Sequence, residues 1–189
     1  MKFSRLSEYF SRIEGTASRN ETTEILAALL KESSQAEIDK ICYLALGQLA
    51  PLYEGIEFNL AEKMLVRVLA EAYGVKEDKV RKHYKARGDL GDVAEELGQK
   101  VKGRGPKGGE VGEVYRELWR VAEVSGTGSQ EKKVTGMAQL LRSLDPLSAK
   151  YVVRIPLGKL RLGFMDKTIL DALSWMETGD KSLRGPIER

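Results

Sequence analysis

The chain has 189 residues, of which 42% are hydrophobic and 31% are charged, with a formal net charge of +3 at pH 7. This composition is typical of a globular protein with one large or two small domains. A single cysteine and a single histidine exclude a disulfide and a zinc cage of the usual ligand count, and they form no obvious catalytic triad. Because no apolar run approaches about 18 residues and the N-terminus lacks a signal-peptide core, we expect a cytoplasmic protein without a membrane span.

Apolar residues recur at helical spacing along almost the whole chain, and no segment shows a sustained period of two. The clearest apolar stripes run along residues 59–73, 111–124 and 130–144. The pattern predicts about ten helices, at residues 2–14, 21–32, 35–49, 59–73, 76–87, 90–99, 111–124, 130–144, 147–157 and 167–178. The predicted fold is therefore all-α, a compact multi-helix array of about ten to twelve helices.

The helix limits follow from residue type, since glycine favours helix C-termini and Ser, Asn and Asp favour N-caps. The expected stops are Gly15, Gly55, Gly74 and Gly88. The expected N-caps are Asn20, Ser34, Asn59, Asp89, Ser129, Ser148 and Asp166.

Irregular sequence interrupts this pattern in three places. Residues 100–109, KVKGRGPKGG, predict an exposed, mobile loop rich in glycine and lysine. Pro156 lacks a backbone donor and predicts that its helix bends or ends near Ile155. The last residues, 185–189, begin what resembles a further helix, so we expect the chain to be truncated before its last helices.

Charge is distributed unevenly along the chain. Residues 1–75 carry 8 basic and 11 acidic side chains, whereas residues 126–167 carry 8 basic and 3 acidic side chains. An electropositive C-terminal half favours a polyanionic partner, although solvated helix faces also produce such asymmetry.

Familiar catalytic patterns fail on this sequence. Gly158 and Gly163 have the first spacing of a phosphate-binding P-loop, but Phe164 and Met165 follow where Lys and Ser or Thr are needed. The acidic residues stand beside lysines at surface spacings, and His83 lies in a charged helical stretch. We therefore predict no catalytic residue and no metal site.

Glycine-rich junctions between helices form a more informative pattern. The first junction is residues 88–91, the second is residues 125–129 and the third is residues 158–166, which carries Lys159 and Arg161 and is followed by Lys167. Helix N-termini expose unpaired N–H groups, and glycine lets a phosphodiester approach the backbone, so these junctions suit a DNA backbone bound without base reading. The alternative is that they are only glycine-terminated helices. The candidate DNA-binding residues are Gly88, Gly91, Gly126, Gly128, Ser129, Lys132, Lys133, Gly158, Lys159, Arg161, Gly163 and Lys167.

Four segments carry a resemblance to a known family. Residues 150–173, KYVVRIPLGKLRLGFMDKTILDAL, closely resemble a segment of the N-terminal DNA-binding domain of ATP-dependent DNA ligases of the archaeal and eukaryotic replicative type. Residues 125–133, SGTGSQEKK, resemble the Gly-Ser-rich turn and basic helix start of that domain. Residues 88–95 resemble its earlier turn, and residues 181–189 resemble the run into its last helices.

The resemblance implies a helical domain that lies on the minor groove of nicked duplex DNA and positions a ligase for nick sealing in replication and repair. It places the phosphate contacts in residues 126–133 and 158–167. In the turn at residues 158–166 we expect Leu160 and Phe164 to anchor the chain in the core. An archaeal source would make the protein nucleoid-associated.

Two departures from the family pattern limit what the resemblance implies. The chain has no Lys-x-Asp-Gly motif to accept AMP, so we expect it to bind DNA without ligating it, with no cofactor of its own. The parent enzyme's ATP, magnesium and catalytic domains then belong to sequence beyond residue 189. The loop at residues 99–109 lacks the aromatic residue of a sliding-clamp motif, yet a helical scaffold that docks on a sliding clamp stays the alternative.

Overall fold

The all-α prediction is confirmed by the computed structural model, which describes residues 1–101 and 108–189. Within those residues there are eleven α-helices and no strand. The helices are Phe3–Glu14 (α1), Arg19–Glu32 (α2), Ile38–Ala45 (α3), Glu62–Tyr73 (α4), Glu77–Arg87 (α5), Leu90–Gln99 (α6), Val111–Glu123 (α7), Ser129–Ser143 (α8), Pro146–Arg154 (α9), Asp166–Thr178 (α10) and Arg184–Glu188 (α11). Short 3₁₀ turns occur at Leu52–Glu54 and Ile155–Leu157.

Glycine predicts the helix ends well. Gly74 and Gly88 follow α4 and α5 in the left-handed conformation, with φ of 65° and 71°. Gly15 follows α1, and Gly55 ends the first 3₁₀ turn. Pro156 lies in the second 3₁₀ turn directly after α9, which confirms the expected helix end near Ile155.

The predicted N-caps are mostly wrong: a neighbouring polar residue caps two of these helices, and the N-cap residues of four others form no side-chain cap bond. Asp89 caps α6 as expected, accepting from the N–H of Asp92. Asp145, rather than Ser148, caps α9, since its carboxylate accepts from the N–H of Ser148 and proline follows it. The remaining corrections are Ser18 for Asn20, Glu37 for Ser34, Ala61 for Asn59, Gly128 for Ser129 and Met165 for Asp166.

Close contact between α6 and α9 sets the position of the candidate site. A Cβ atom on Gly91 of α6 would lie 2.7 Å from the carbonyl oxygen of Lys150 and 2.7 Å from Nε of Arg154. Only glycine therefore permits this approach. Because α6 follows the Gly88 junction and α9 leads into residues 158–166, their contact brings the first and third junctions together.

One hydrophobic core joins helices from both ends of the chain, from Phe3 in α1 to Ala172 in α10. Across the two described ranges, no helix is long and apolar enough to cross a membrane. The predicted loop at residues 100–109 falls mostly on residues 102–107, which lie outside the described residues.

Candidate nucleic-acid interface

Residues 158–166 form a turn whose side chains alternate between core and solvent. Gly158 turns the chain out of the 3₁₀ segment with φ of 60°. Leu160 and Leu162 are buried, whereas Lys159 and Arg161 are exposed. The exposed cations alternate with buried leucines, which anchor the turn in the core and hold the cations at the surface.

The expected anchors of this turn are both in place, and one more was missed. Leu160 is buried as predicted, and Phe164 is half-buried and packs against the core. Leu162 also points inward, which the sequence analysis left unassigned. Gly163 is exposed at the far end of the turn with φ of 71°.

Arg161 joins the third junction to the first. Its Nε lies 2.8 Å from Oδ2 of Asp89, and its Nη2 donates to the carbonyl oxygen of Gly88 at 3.1 Å. Its backbone has φ of 60°, a left-handed conformation that is unfavourable for a residue with a side chain. These contacts fix the guanidinium at the surface, with N–H groups left over for another partner.

A buried ion network lies beneath Arg161. Arg154 is 1% exposed and forms ion pairs with Asp89 at 3.0 Å, Glu14 at 2.9 Å and Asp92 at 3.0 Å. Lys150 lies at its edge, 3.2 Å from Asp92. The network connects α1, α6 and α9, so it fixes the floor on which the turn rests.

The protonation of this network favours its charged form. Burial raises the pKa of Asp89, but the N–H of Asp92 and the guanidinium of Arg154 outweigh burial, and the net pKa lies below its ordinary value. Burial likewise raises the pKa of Glu14, whereas hydrogen bonds from Arg154 and Tyr151 lower it further than burial raises it. Both carboxylates are therefore ionised at neutral pH.

Two candidate residues have structural positions that the sequence did not reveal. Gly91 is buried between α6 and α9, so its missing side chain serves helix packing and leaves no room for a phosphate. Lys133 is 5% exposed, and its Nζ donates to the carbonyl oxygens of Phe58 at 2.6 Å and Ala122 at 3.3 Å. Neither Gly91 nor the side chain of Lys133 is on the surface, which corrects the expectation that both face a phosphate.

The second junction is open to solvent. Gly126 and Gly128 are exposed with φ of 80° and 76°, and a Cβ on either would meet no atom within 4 Å. Gly128 precedes α8, whose first residue is Ser129, and Lys132 is exposed one turn later. The amide of Ser129 donates to the carbonyl oxygen of Gly126 at 3.2 Å, and the unobstructed glycines and the exposed Lys132 lie together at this helix start.

Helix α4 connects the second and third junctions. Its Glu62 lies 3.3 Å from Nζ of Lys159, and its Arg67 lies 2.6 Å from Glu131 in the first turn of α8. Glu62 and Arg67 are five residues apart, about 7.5 Å along the helix axis. The three junctions, far apart in sequence, are thus contiguous through Arg161 and α4.

Lys167 lies in a cleft that the sequence did not predict. The cleft is lined by residues 163–165, Lys167, Thr168 and residues of α2, α10 and α11, and its basic residues besides Lys167 are Arg19, Lys181 and Arg184. No local signal identifies it, because its cations come from segments about 150 residues apart in sequence. Within the described part of the chain, no group of three or more His, Cys, Asp or Glu residues could hold a metal ion.

The family model described as "DNA ligase N terminus" matches residues 2–174 of this chain. The chain belongs to that family. Similar proteins include a probable DNA ligase of Dictyoglomus turgidum, 46% identical over 189 residues, and DNA ligase 2 of Thermofilum pendens, 41% identical over 203 residues. Each alignment covers 100% of this chain, but only 32% and 33% of those relatives. The chain thus spans about a third of the length of these DNA ligases.

Proposed function

We propose that this ligase-family domain binds nicked duplex DNA through the phosphate backbone beside the minor groove, without reading sequence. The observation that carries the proposal is the turn at residues 158–163, which holds Lys159 and Arg161 at the surface on a buried, ion-paired floor. Fixed cations at known spacing suit phosphates, and no base-reading side chain is required.

The glycines of the second and third junctions support a phosphate contact. Gly126, Gly128, Gly158 and Gly163 have positive φ, and none would place a Cβ against protein. They contrast with Gly91, which is needed for packing. The side of each glycine that a Cβ would occupy is open, so a phosphodiester could approach the backbone there, although the amide of Gly158 itself donates to the carbonyl oxygen of Ile155 at 2.9 Å.

Placement on a nick extends the proposal to the parent protein. The two relatives named above, a probable DNA ligase and DNA ligase 2, are about three times as long as this chain. We propose that this domain positions an ATP-dependent ligase for nick sealing in replication and repair, and that the remaining sequence supplies the catalytic domains that use ATP and magnesium. Nicked DNA and those catalytic domains are then its partners.

A salt titration of DNA binding tests the proposal. Fluorescence anisotropy is measured with nicked and intact duplexes of one length at several salt concentrations. Each lost phosphate contact lowers the salt slope by about 0.9, which corresponds to roughly eightfold weaker binding at about 0.1 M salt. We expect this loss for Arg161→Ala and for Lys159→Ala on every DNA sequence, and no loss for the exposed Lys31→Ala on α2. Binding that is absent, or that ignores salt, contradicts the proposal.

An adenylylation assay tests whether the catalytic chemistry lies outside this chain. The 189 residues contain no Lys-x-Asp-Gly motif, so incubation with radiolabelled ATP and magnesium should leave the chain unlabelled. A longer ligase that contains the motif is the positive control. Covalent label on this chain would show that it carries nucleotidyltransfer chemistry itself.

One observation favours protein docking as a second function. Leu52 and Tyr53 are 82% and 87% exposed on the 3₁₀ turn, next to a groove lined by residues 46–61 and 156–158. An exposed apolar pair is typical of a protein contact. If docking is the main function, the charge reversal Arg161→Glu leaves DNA retention unchanged, whereas Tyr53→Ser abolishes retention of the catalytic domains or of a sliding clamp.

A further inference from the structure

The cleft beside the turn brings like charges together from four segments. Arg19 comes from the start of α2, Lys167 from the start of α10, Lys181 from the α10–α11 connection and Arg184 from α11. Asp171 is the only acidic residue among those that line it, within the described residues. Its volume is about 520 Å³.

Protein contacts do not balance the charge of this cleft. Asp171 lies 3.1 Å from Nζ of Lys181 and 3.2 Å from Nη1 of Arg184, so two cations share one carboxylate. The side chains of Arg19 and Lys167 form no ion pair with any residue that the structure describes. A concave surface lined mostly by one sign of charge concentrates its field and attracts counter-ions of the opposite sign.

The positions of two of these cations are also unfavourable for the helices that carry them. Arg19 is the first residue of α2, and Lys167 is the second residue of α10. The N-terminal end of a helix carries a partial positive charge, so a cation there is unfavourable. Helix stability therefore does not account for either residue, whereas an anionic ligand in the cleft does.

We propose that this cleft is a second phosphodiester site, in which Arg19, Arg184 and Lys181 join Lys167 in holding a DNA backbone beyond the turn at residues 158–163. The proposal rests on the proposed function and extends its contact surface to residues that no sequence motif indicated. Arg161 and Lys167 are six residues apart, at most about 20 Å of extended chain. That upper limit equals about six base-pair rises of 3.4 Å along the duplex axis, so one duplex can reach both sites.

The experiment compares charge-neutral variants in the same salt titration with a nicked duplex. Arg19→Gln and Arg184→Gln are measured singly and together, with Arg161→Ala as the reference. Lys31→Gln is the matched control, because it removes a cation from the exposed C-terminal end of the helix that begins with Arg19. Each single variant should weaken binding about eightfold at roughly 0.1 M salt, and the double variant should lower the salt slope by about 1.8.

The outcomes separate this proposal from the broader one. If Arg161→Ala weakens binding while Arg19→Gln and the double variant behave as Lys31→Gln, the cleft proposal is overturned and DNA binding through the turn stands. If no variant changes binding, both proposals fail. A polyglutamate peptide that displaces the duplex from wild type but not from the double variant would instead identify the cleft as an acidic-peptide site. Because Arg19 has no ion-pair partner to lose, its variant also controls for unfolding, monitored by circular dichroism.

Discussion

Asp89→Asn tests the buried network that supports the turn. Asparagine keeps the size of the side chain and can still cap α6, so the change removes mainly the negative charge. Asp89 is 3.0 Å from Nε of Arg154 and 2.8 Å from Nε of Arg161. The first contact is buried and the second lies at the surface.

The expected loss follows from these two contacts. A hydrogen bond to a charged group contributes about 1.5–3 kcal/mol when buried, and a surface ion pair contributes about 0–1 kcal/mol. Arg154 keeps Glu14 and Asp92 as partners, so the larger cost of an orphaned buried charge does not apply. We therefore expect the free energy of unfolding to fall by about 2–3 kcal/mol, which lowers Tm by roughly 5–10 °C in a chain of this size.

The pH dependence of that loss has a definite sign. The folded pKa of Asp89 lies below its unfolded value of about 3.9, so its charge stabilises the fold above that pH and ceases to do so as pH falls through the folded pKa. In urea unfolding, the difference in free energy of unfolding between wild type and Asp89→Asn should therefore be largest at pH 7 and should decrease below about pH 4. Glu62→Gln, at a half-exposed side chain, should change stability by less than about 0.5 kcal/mol.

A different result would refute this reasoning. If Asp89→Asn costs no more than Glu62→Gln at pH 7, the buried contact to Arg154 contributes little. If the difference in free energy of unfolding between wild type and Asp89→Asn is unchanged from pH 5 to pH 3, the charge of the carboxylate does not cause that difference.

Three further predictions use matched residues. Lys132→Gln should lower the salt slope of DNA binding by about 0.9, while Lys133→Gln should leave the slope unchanged and lower Tm, because only Lys132 is exposed. Gly91→Ala should destabilise the fold by about 1–3 kcal/mol in urea unfolding because its Cβ meets α9, whereas Gly112→Ala, with one atom at 3.9 Å, should be neutral or stabilising. Glu62→Gln removes the ion-pair partner of Lys159 and should tighten duplex binding about twofold, measured by anisotropy. Weaker binding would contradict a phosphate contact at Lys159.

Sequence pattern predicts much of this fold because helices leave local signals. Gly74 and Gly88 end their helices where expected, since a left-handed residue is needed at that position. N-caps are less predictable, because Ser18 and Asn20 are both residue types that can accept the needed hydrogen bond, and in the structure Ser18 accepts it from the N–H of Glu21. The predicted helix 35–49 is shorter in the structure, at Ile38–Ala45.

In the candidate site, too, local sequence predicts the exposure of some residues, whereas tertiary packing determines that of others. The alternation of Lys159 to Leu162 is local, and its exposed cations were predicted. Lys133 resembles Lys132 in sequence, and only the carbonyl groups brought by other segments show that it is buried. The basic cleft depends wholly on helix packing, so no reading of residues near Lys167 could reveal Arg184.

The contacts of Arg161 have a consequence for how fast DNA can bind. A long side chain that is mobile in the free protein loses about 0.5–1.5 kcal/mol of freedom when a ligand immobilises it. Here Asp89 and Gly88 already hold the guanidinium, and this ordering occurs during folding. The turn can accept a phosphate without rearranging, so encounter rather than conformational adjustment should limit association, and added salt should slow it.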